Sequence, residues 1–174
     1  IFSDHFDNSN YDAITFWHSF EHIDNSKKVL EQTYNLLKND GILLISVPNY
    51  NSLCRRIFNE KWFHLDPPRH LFHFTEKSLI NLLDSSGFEI IKIYYFFPEY
   101  DISGILQSLL NYMGLGKNIL KKSMKYGNKQ KNIFKVYLLI PFLIIPFFLI
   151  WTFEIFLKCN ETFCIISKPK TKDI

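Results

Sequence analysis

Two short apolar runs, Ala13–Trp17 and Ile42–Val47, bracket one amphipathic helical pattern, and this arrangement constrains the fold more than any other feature. Runs of this length, rich in β-branched and aromatic residues, read as buried strands. The second, ILLISV, is almost continuously apolar, as a strand covered on both faces must be. The first strand is expected over about Asp12–Trp17. Between the two runs, Val29, Leu30, Leu36 and Leu37 share one helical face, predicting a helix over Ser26–Lys38 capped by Asp24 or Asn25. Asn39-Asp40-Gly41 is expected to end that helix, with Gly41 free to take positive φ.

The pattern continues. Asn51–Phe74 shows little periodicity and carries Arg55, Arg56, Trp62, His64, Asp66, Arg69, His70 and His73. A stretch this dense in reactive residue types reads as a lid or binding loop. Thr75 opens a helix to about Ser86, with Phe74 and Leu79 placed as a hydrophobic staple and Gly87 closing it. Glu89–Phe97 is the next strand. Residues 12–97 therefore read strand, helix, strand, lid, helix, strand. Such alternation predicts an α/β fold with a mostly parallel sheet and helices on both faces.

After Pro98 the composition changes. Ser103–Met113 is an amphipathic helix with Ile105, Leu106, Leu109, Leu110 and Met113 on one face. Seven lysines and no acid lie between Lys117 and Lys135. Val136–Phe153 is uncharged and holds Pro141 and Pro146; Thr162–Ser167 is a last strand, followed by a basic tail. The expected organisation is a partial domain over residues 1–100, a basic and hydrophobic helical insertion over 101–158, and the last strand and tail over 159–174. A spanning helix needs about 20 apolar residues. A single span would, however, separate Thr162–Ser167 from the sheet. The two prolines also favour a bent, re-entrant or surface-lying segment. The expectation is an apolar hairpin beside a basic segment, a two-signal anchor on an anionic membrane surface.

Composition excludes less. The net charge of +3 does not imply nucleic acid as a partner, and the oligomeric state is not legible. Cys54, Cys159 and Cys164 lack paired or metal-type spacing, so reduced, partly buried thiols are expected and no metal is assigned. The chain opens on Ile-Phe-Ser-Asp, and residues 1–11 read as a turn-rich loop inside a longer protein.

Chemistry concentrates where the first strand stops: DAITFWHSFEH runs from Asp12 into His18, Glu21 and His22. Ligands in open α/β sheets sit outside the carboxyl ends of strands. His18-x-x-Glu21-His22 also has the literal H-x-x-E-H spacing of a zinc hydrolase, with Glu21 as base and His70 or a carboxylate as third ligand. That site needs a helix through both histidines, whereas here a strand runs directly into His18. A third possibility is a non-catalytic membrane-bound partner subunit.

Taken together, DAITFWHSFEHI, LLKNDG, ILLISVPN, WFHLDPPRHLFHFT and SGFEI resemble the C-terminal two-thirds of a class I S-adenosylmethionine-dependent methyltransferase. The resemblance covers about residues 11–95, with a weaker match at Glu161–Pro169. It implies a Rossmann-like sheet with an antiparallel last strand, S-adenosylmethionine as cofactor, and strands four to seven of the family's order. The family's glycine-rich cofactor loop and ribose-binding acid have no counterpart in these residues, so the domain reads as N-terminally truncated. On its own the chain is expected to bind cofactor poorly and to be inactive. The resemblance places Phe16, Trp17 and His18 beside the cofactor and Glu21 and His22 at the reaction centre, with His70. Asn49 and Arg69 would orient a small-molecule or lipid-linked substrate. A histidine suits general base catalysis because its pKa lies near 6.5.

Overall fold

The computed structural model describes residues 11–95, 97–115, 118–120, 122 and 133–170. Four strands form one sheet: β1 (Tyr11–Trp17), β2 (Leu37–Pro48), β3 (Phe88–Tyr94) and β4 (Thr162–Pro169), in the order β1-β2-β4-β3. β1 and β2 pair in parallel and β3 and β4 antiparallel. The last strand thus inserts between β2 and β3, as the sequence expectation of a Rossmann-like sheet with an antiparallel final strand requires. The helices are α1 (Ser26–Leu36), α2 (Leu53–Phe58), α3 (Glu76–Ser85), α4 (Pro98–Tyr112) and α5 (Ile133–Leu157).

Contacts divide the described chain into two compact units. The first takes residues within 1–48, 71–94 and 163–174; the second takes 49–70 and 95–162. In the first unit Phe20, Leu30, Leu43, Ile45, Leu79, Leu83, Phe88, Phe163 and Ile165 are fully buried. Asn25 caps α1, its side chain accepting from the Lys28 N–H at 3.0 Å. Thr75 caps α3 in a capping box with Ser78, and the staple residues Phe74 and Leu79 are buried. Gly87 ends α3 at φ 86°, in the region open to glycine.

The end of α1 differs from expectation. The helix stops at Leu36 and the chain is already extended at Leu37. Gly41 lies inside β2 and is not at positive φ. It is required by close approach: a Cβ there would lie 2.9 Å from the Tyr11 carbonyl oxygen, where the β1–β2 register is interrupted between Tyr11 and Ala13. A bulged strand and a capping turn both call for Gly after polar residues, so the sequence pattern did not separate them.

In the second unit the expected lid is partly helical: α2 is followed by 3₁₀ turns at Asn59–Lys61 and Phe63–Leu65. Short helices of this kind leave no readable periodicity. β3 stops at Tyr94 rather than Phe97, and α4 starts at Pro98 rather than Ser103, because proline suits a helix's first turn. The hairpin expected around Pro141 and Pro146 is overturned. Both prolines lie inside one continuous 25-residue helix, α5. Val136 and Leu143 pack with Leu110, and Phe147, Ile150 and Trp151 with Ile105 and Leu109. This stripe recurs at helical spacing along most of α5, and packing against α4 outweighs the hydrogen bonds the prolines remove. Of the seven lysines, Lys117, Lys121, Lys125, Lys129 and Lys131 lie outside the described residues, as do residues 1–10 of the expected loop; Lys122 and Lys135 are exposed.

Candidate functional site

The exit of β1 carries five of the expected residues, Phe16, Trp17, His18, Glu21 and His22. Phe16 is buried and meets Phe20 edge-on at 5.4 Å between ring centroids. Trp17 is 44% exposed. At His18 the backbone takes φ 45°, turning out of the strand while its N–H still donates to the Ser46 carbonyl at 3.0 Å. A single 3₁₀ turn, Phe20–His22, follows. It places the Glu21 carboxylate between two imidazoles: His18 Nδ1 lies 3.9 Å and His22 Nε2 4.0 Å from Glu21 Oε1. Glu21 is 1% exposed, and burial pushes its carboxyl above the usual range while the His22 charge pulls it back. Its carbonyl accepts from the N–H groups of Leu71 and Phe72. Glu21 is therefore held from its main chain, and its acid group faces histidines of which His22 remains partly open to solvent.

The zinc-hydrolase alternative needs both histidines on one face of a helix. His18 instead lies outside the helical turn, at a backbone angle no α-helix adopts.

The remaining expected residues belong to the second unit. Asn49 is buried and serves its own turn: Nδ2 donates to the Asn160 carbonyl at 3.0 Å and Oδ1 accepts from the Asn51 N–H at 2.9 Å. Arg69 pairs with Asp66. His70 Nδ1 lies 2.6 Å from the His64 carbonyl oxygen, which makes Nδ1 the protonated nitrogen and leaves Nε2 as the acceptor. Asp66 also borders a cleft of about 330 Å³ lined by Glu60, Lys61, Trp62, Leu65 and Asn111.

Sequence reasoning missed a second concentration of ionisable groups. Asp101, Glu154 and Glu161 are all fully buried, together with Cys54 and, nearly so, His64 and Trp62. Trp62 Nε1 donates to Glu161 Oε2 at 2.7 Å, and His64 Nε2 lies 3.5 Å from the same oxygen. The Cys54 N–H donates to Glu154 Oε1 at 3.2 Å, and Asn160 Nδ2 to Asp101 Oδ2 at 3.0 Å. Burial pushes the Asp101 carboxyl up to about 6. Burial raises Glu154 and Glu161 too, and it raises the Cys54 thiol, aided by the charges of the two glutamates. One signal was available: Glu154 is the single acid in the 25-residue α5, and a lone acid there needs a reason.

Comparison with known proteins gives the class. A family model described as Methyltransferase domain matches residues 2–93. That is more than half of the 174 residues, and the chain belongs to this family. No curated protein matches it. Among solved structures, the (4+2)-cyclase SpnF is 13% identical with a TM-score of 0.52, over 98% of this chain and 54% of that one. A complex of the Haloferax volcanii Trm112 methyltransferase activator with a methyltransferase gives 8% identity and a TM-score of 0.51, over 99% and 59%. The cyclopropane synthase MmaA2 of Mycobacterium tuberculosis gives 14% and 0.50, over 94% and 56%. These likenesses show the fold, and the chain spans little more than half the length of these three structures.

Proposed function

We propose that this chain is the substrate-facing part of an S-adenosylmethionine-dependent methyltransferase that works at a membrane surface on a small-molecule or lipid-linked acceptor. The observation that carries the reading is the exit of β1, within the family match, where a buried acid sits between two histidines. The cofactor supplies an electrophilic methyl group; this chain's residues bind, orient and move protons. Phe16, Trp17 and His18 flank the cofactor. His22 accepts the acceptor's proton, and Glu21 stabilises the imidazolium that results. In the second unit, His70 Nε2 and Arg69 serve the acceptor. Asn49, with one amide hydrogen and one lone pair already used, holds the turn after β2 and keeps one of each for substrate.

The test is transfer of labelled methyl from S-adenosylmethionine by the full-length protein, counted in lipid-extractable and water-soluble fractions. His22→Ala and His70→Ala should each lower turnover about 10²–10⁴-fold with a smaller change in cofactor affinity by calorimetry. Wild-type rates in both variants would remove these residues from the chemistry.

The membrane part of the proposal is supported by α5. Its outward face is apolar and open: Phe134, Leu138, Phe142, Ile145, Leu149 and Phe156 are all more than half exposed. Its other face packs on α4. At about 1.5 Å per residue the helix is about 37 Å long, enough to span, yet the packed stripe along it favours a helix lying in the interface. The lysines between 117 and 135 would add attraction to anionic headgroups, about 1 kcal/mol each. In flotation, recovery with vesicles should require anionic lipid and fall when the seven lysines become Gln. Lys121 and Lys170 should be labelled from the same side. Protection of one alone would show a span, and recovery unaffected by vesicles would show no anchor.

A further inference from the structure

We propose that Cys54, Glu154 and Glu161 form a binding site for a zinc-class divalent transition-metal ion that ties α2, α5 and the turn before β4 into one unit. The inference does not depend on the methyltransferase reading. One ligand atom from each of the three residues lies within 4.8 Å of the others, and all three residues are fully buried. They come from places far apart in the chain, and no local motif explains their meeting.

The carboxylates are half-satisfied in a way that points inward. Each has one oxygen held by a protein donor, Glu161 Oε2 by Trp62 and Glu154 Oε1 by the Cys54 N–H. The other oxygens, Glu154 Oε2 and Glu161 Oε1, are buried with no nitrogen or hydroxyl donor on them. Among the described residues, no lysine or arginine forms an ion pair with any of the three acids, and the one basic group recorded against them is His64. Buried acids need a counter-charge or a proton. Here the neighbour of both carboxylates is the Cys54 thiol, which hydrogen-bonds each of them and so sets a soft ligand atom between two hard ones.

The backbone is shaped for this cluster. Gly104 lies on α4 where a Cβ would be 2.9 Å from Glu161 Oε2 and 3.0 Å from His64 Nε2. A helix interior disfavours glycine relative to alanine, so its presence under the carboxylate and imidazole has a steric reason. His64 Nε2 approaches Glu161 at Oε2, the oxygen that Trp62 also holds, and so braces the carboxylate from behind. A set of one thiolate and two carboxylates suits a zinc-class ion, and a buried site suits a structural one. Binding would displace the protons of the thiol and the acids to solvent, so loading should release protons and couple to folding.

The test uses the full-length protein, stripped by chelator and titrated with cobalt(II), then zinc. We expect one equivalent of cobalt to produce a thiolate-to-cobalt charge-transfer band that zinc abolishes, and zinc to raise the thermal midpoint. Cys54→Ser should lose the band and the zinc-induced shift. Glu154→Gln keeps the thiol and the shape, and should weaken cobalt affinity at least tenfold, as should Gly104→Ala. Urea midpoints of the metal-free proteins report whether each variant folds. If stripped wild type gives no band on cobalt addition, or if zinc leaves its midpoint unchanged, the proposal fails. It fails equally if the band survives in Cys54→Ser, since Cys159 or Cys164 would then carry it, or if Glu154→Gln binds cobalt as tightly as wild type.

Discussion

The exit of β1 and the acid cluster of the second unit both bring carboxylates together with histidine, and they solve the charge problem differently. At the exit, His18, Glu21 and His22 are supplied by one turn of chain, and His22 keeps access to solvent. Its acid has two imidazoles within reach and its main chain is pinned by Leu71 and Phe72. In the cluster, the acids come from α4, α5 and the turn before β4, and none is exposed. A group that must exchange protons with a ligand needs a path to it; a group sealed in the interior needs its compensation built in. The difference separates a cluster with a path to solvent from one sealed in the interior.

The sharpest way to break the comparison uses its two tryptophans. Trp62, 2% exposed, fills the second unit and donates to Glu161. Trp62→Ala should cost about 3–5 kcal/mol of stability, read as a lowered urea midpoint. Trp17, 44% exposed beside His18, is the counterpart, and its replacement by Ala comes at the other end of the scale.

Between these lies Gly41→Ala. The added methyl group would meet the Tyr11 carbonyl at 2.9 Å, against backbone that cannot rotate away. We expect a loss of about 1–3 kcal/mol, again by urea unfolding. A neutral outcome would mean that the β1–β2 bulge relaxes freely.

Glu21→Gln probes charge without changing shape. The native carboxyl titrates above its usual value of 4.5 because it is buried. Its neutral form is thus favoured by folding. The stability it contributes is present below the unfolded pKa and is lost as pH rises through the higher native value. Wild type should therefore lose stability over that window relative to Glu21→Gln, measured by urea midpoints across the acid range. Parallel pH profiles would show that the two histidines fully offset burial. Smallest of all, Trp17→Ala should change stability by no more than about 0.5 kcal/mol, while weakening cofactor binding in the full-length protein if Trp17 flanks the cofactor.

What the sequence determined by itself is the order of elements and the exit of β1. Apolar runs mark strands, and Ala13–Trp17 and Ile42–Val47 lie within β1 and β2; burial follows the expectation in β2, where Leu43, Ile45 and Val47 are buried, but in the first run Phe16 alone is buried. Thr75 announces the start of α3 because capping is a local hydrogen bond. His18, Glu21 and His22 meet because they are neighbours in the chain. Tertiary structure alone decided the rest. Gly41 looked like a helix end until the register of β1 against β2 showed a close approach. Pro141 and Pro146 looked like breaks until packing on α4 carried the helix through them. Cys54, Glu154 and Glu161 have no pattern in the chain, since only the folding of α2, α5 and the turn before β4 onto one another brings a thiol and two acids within reach of a single ion.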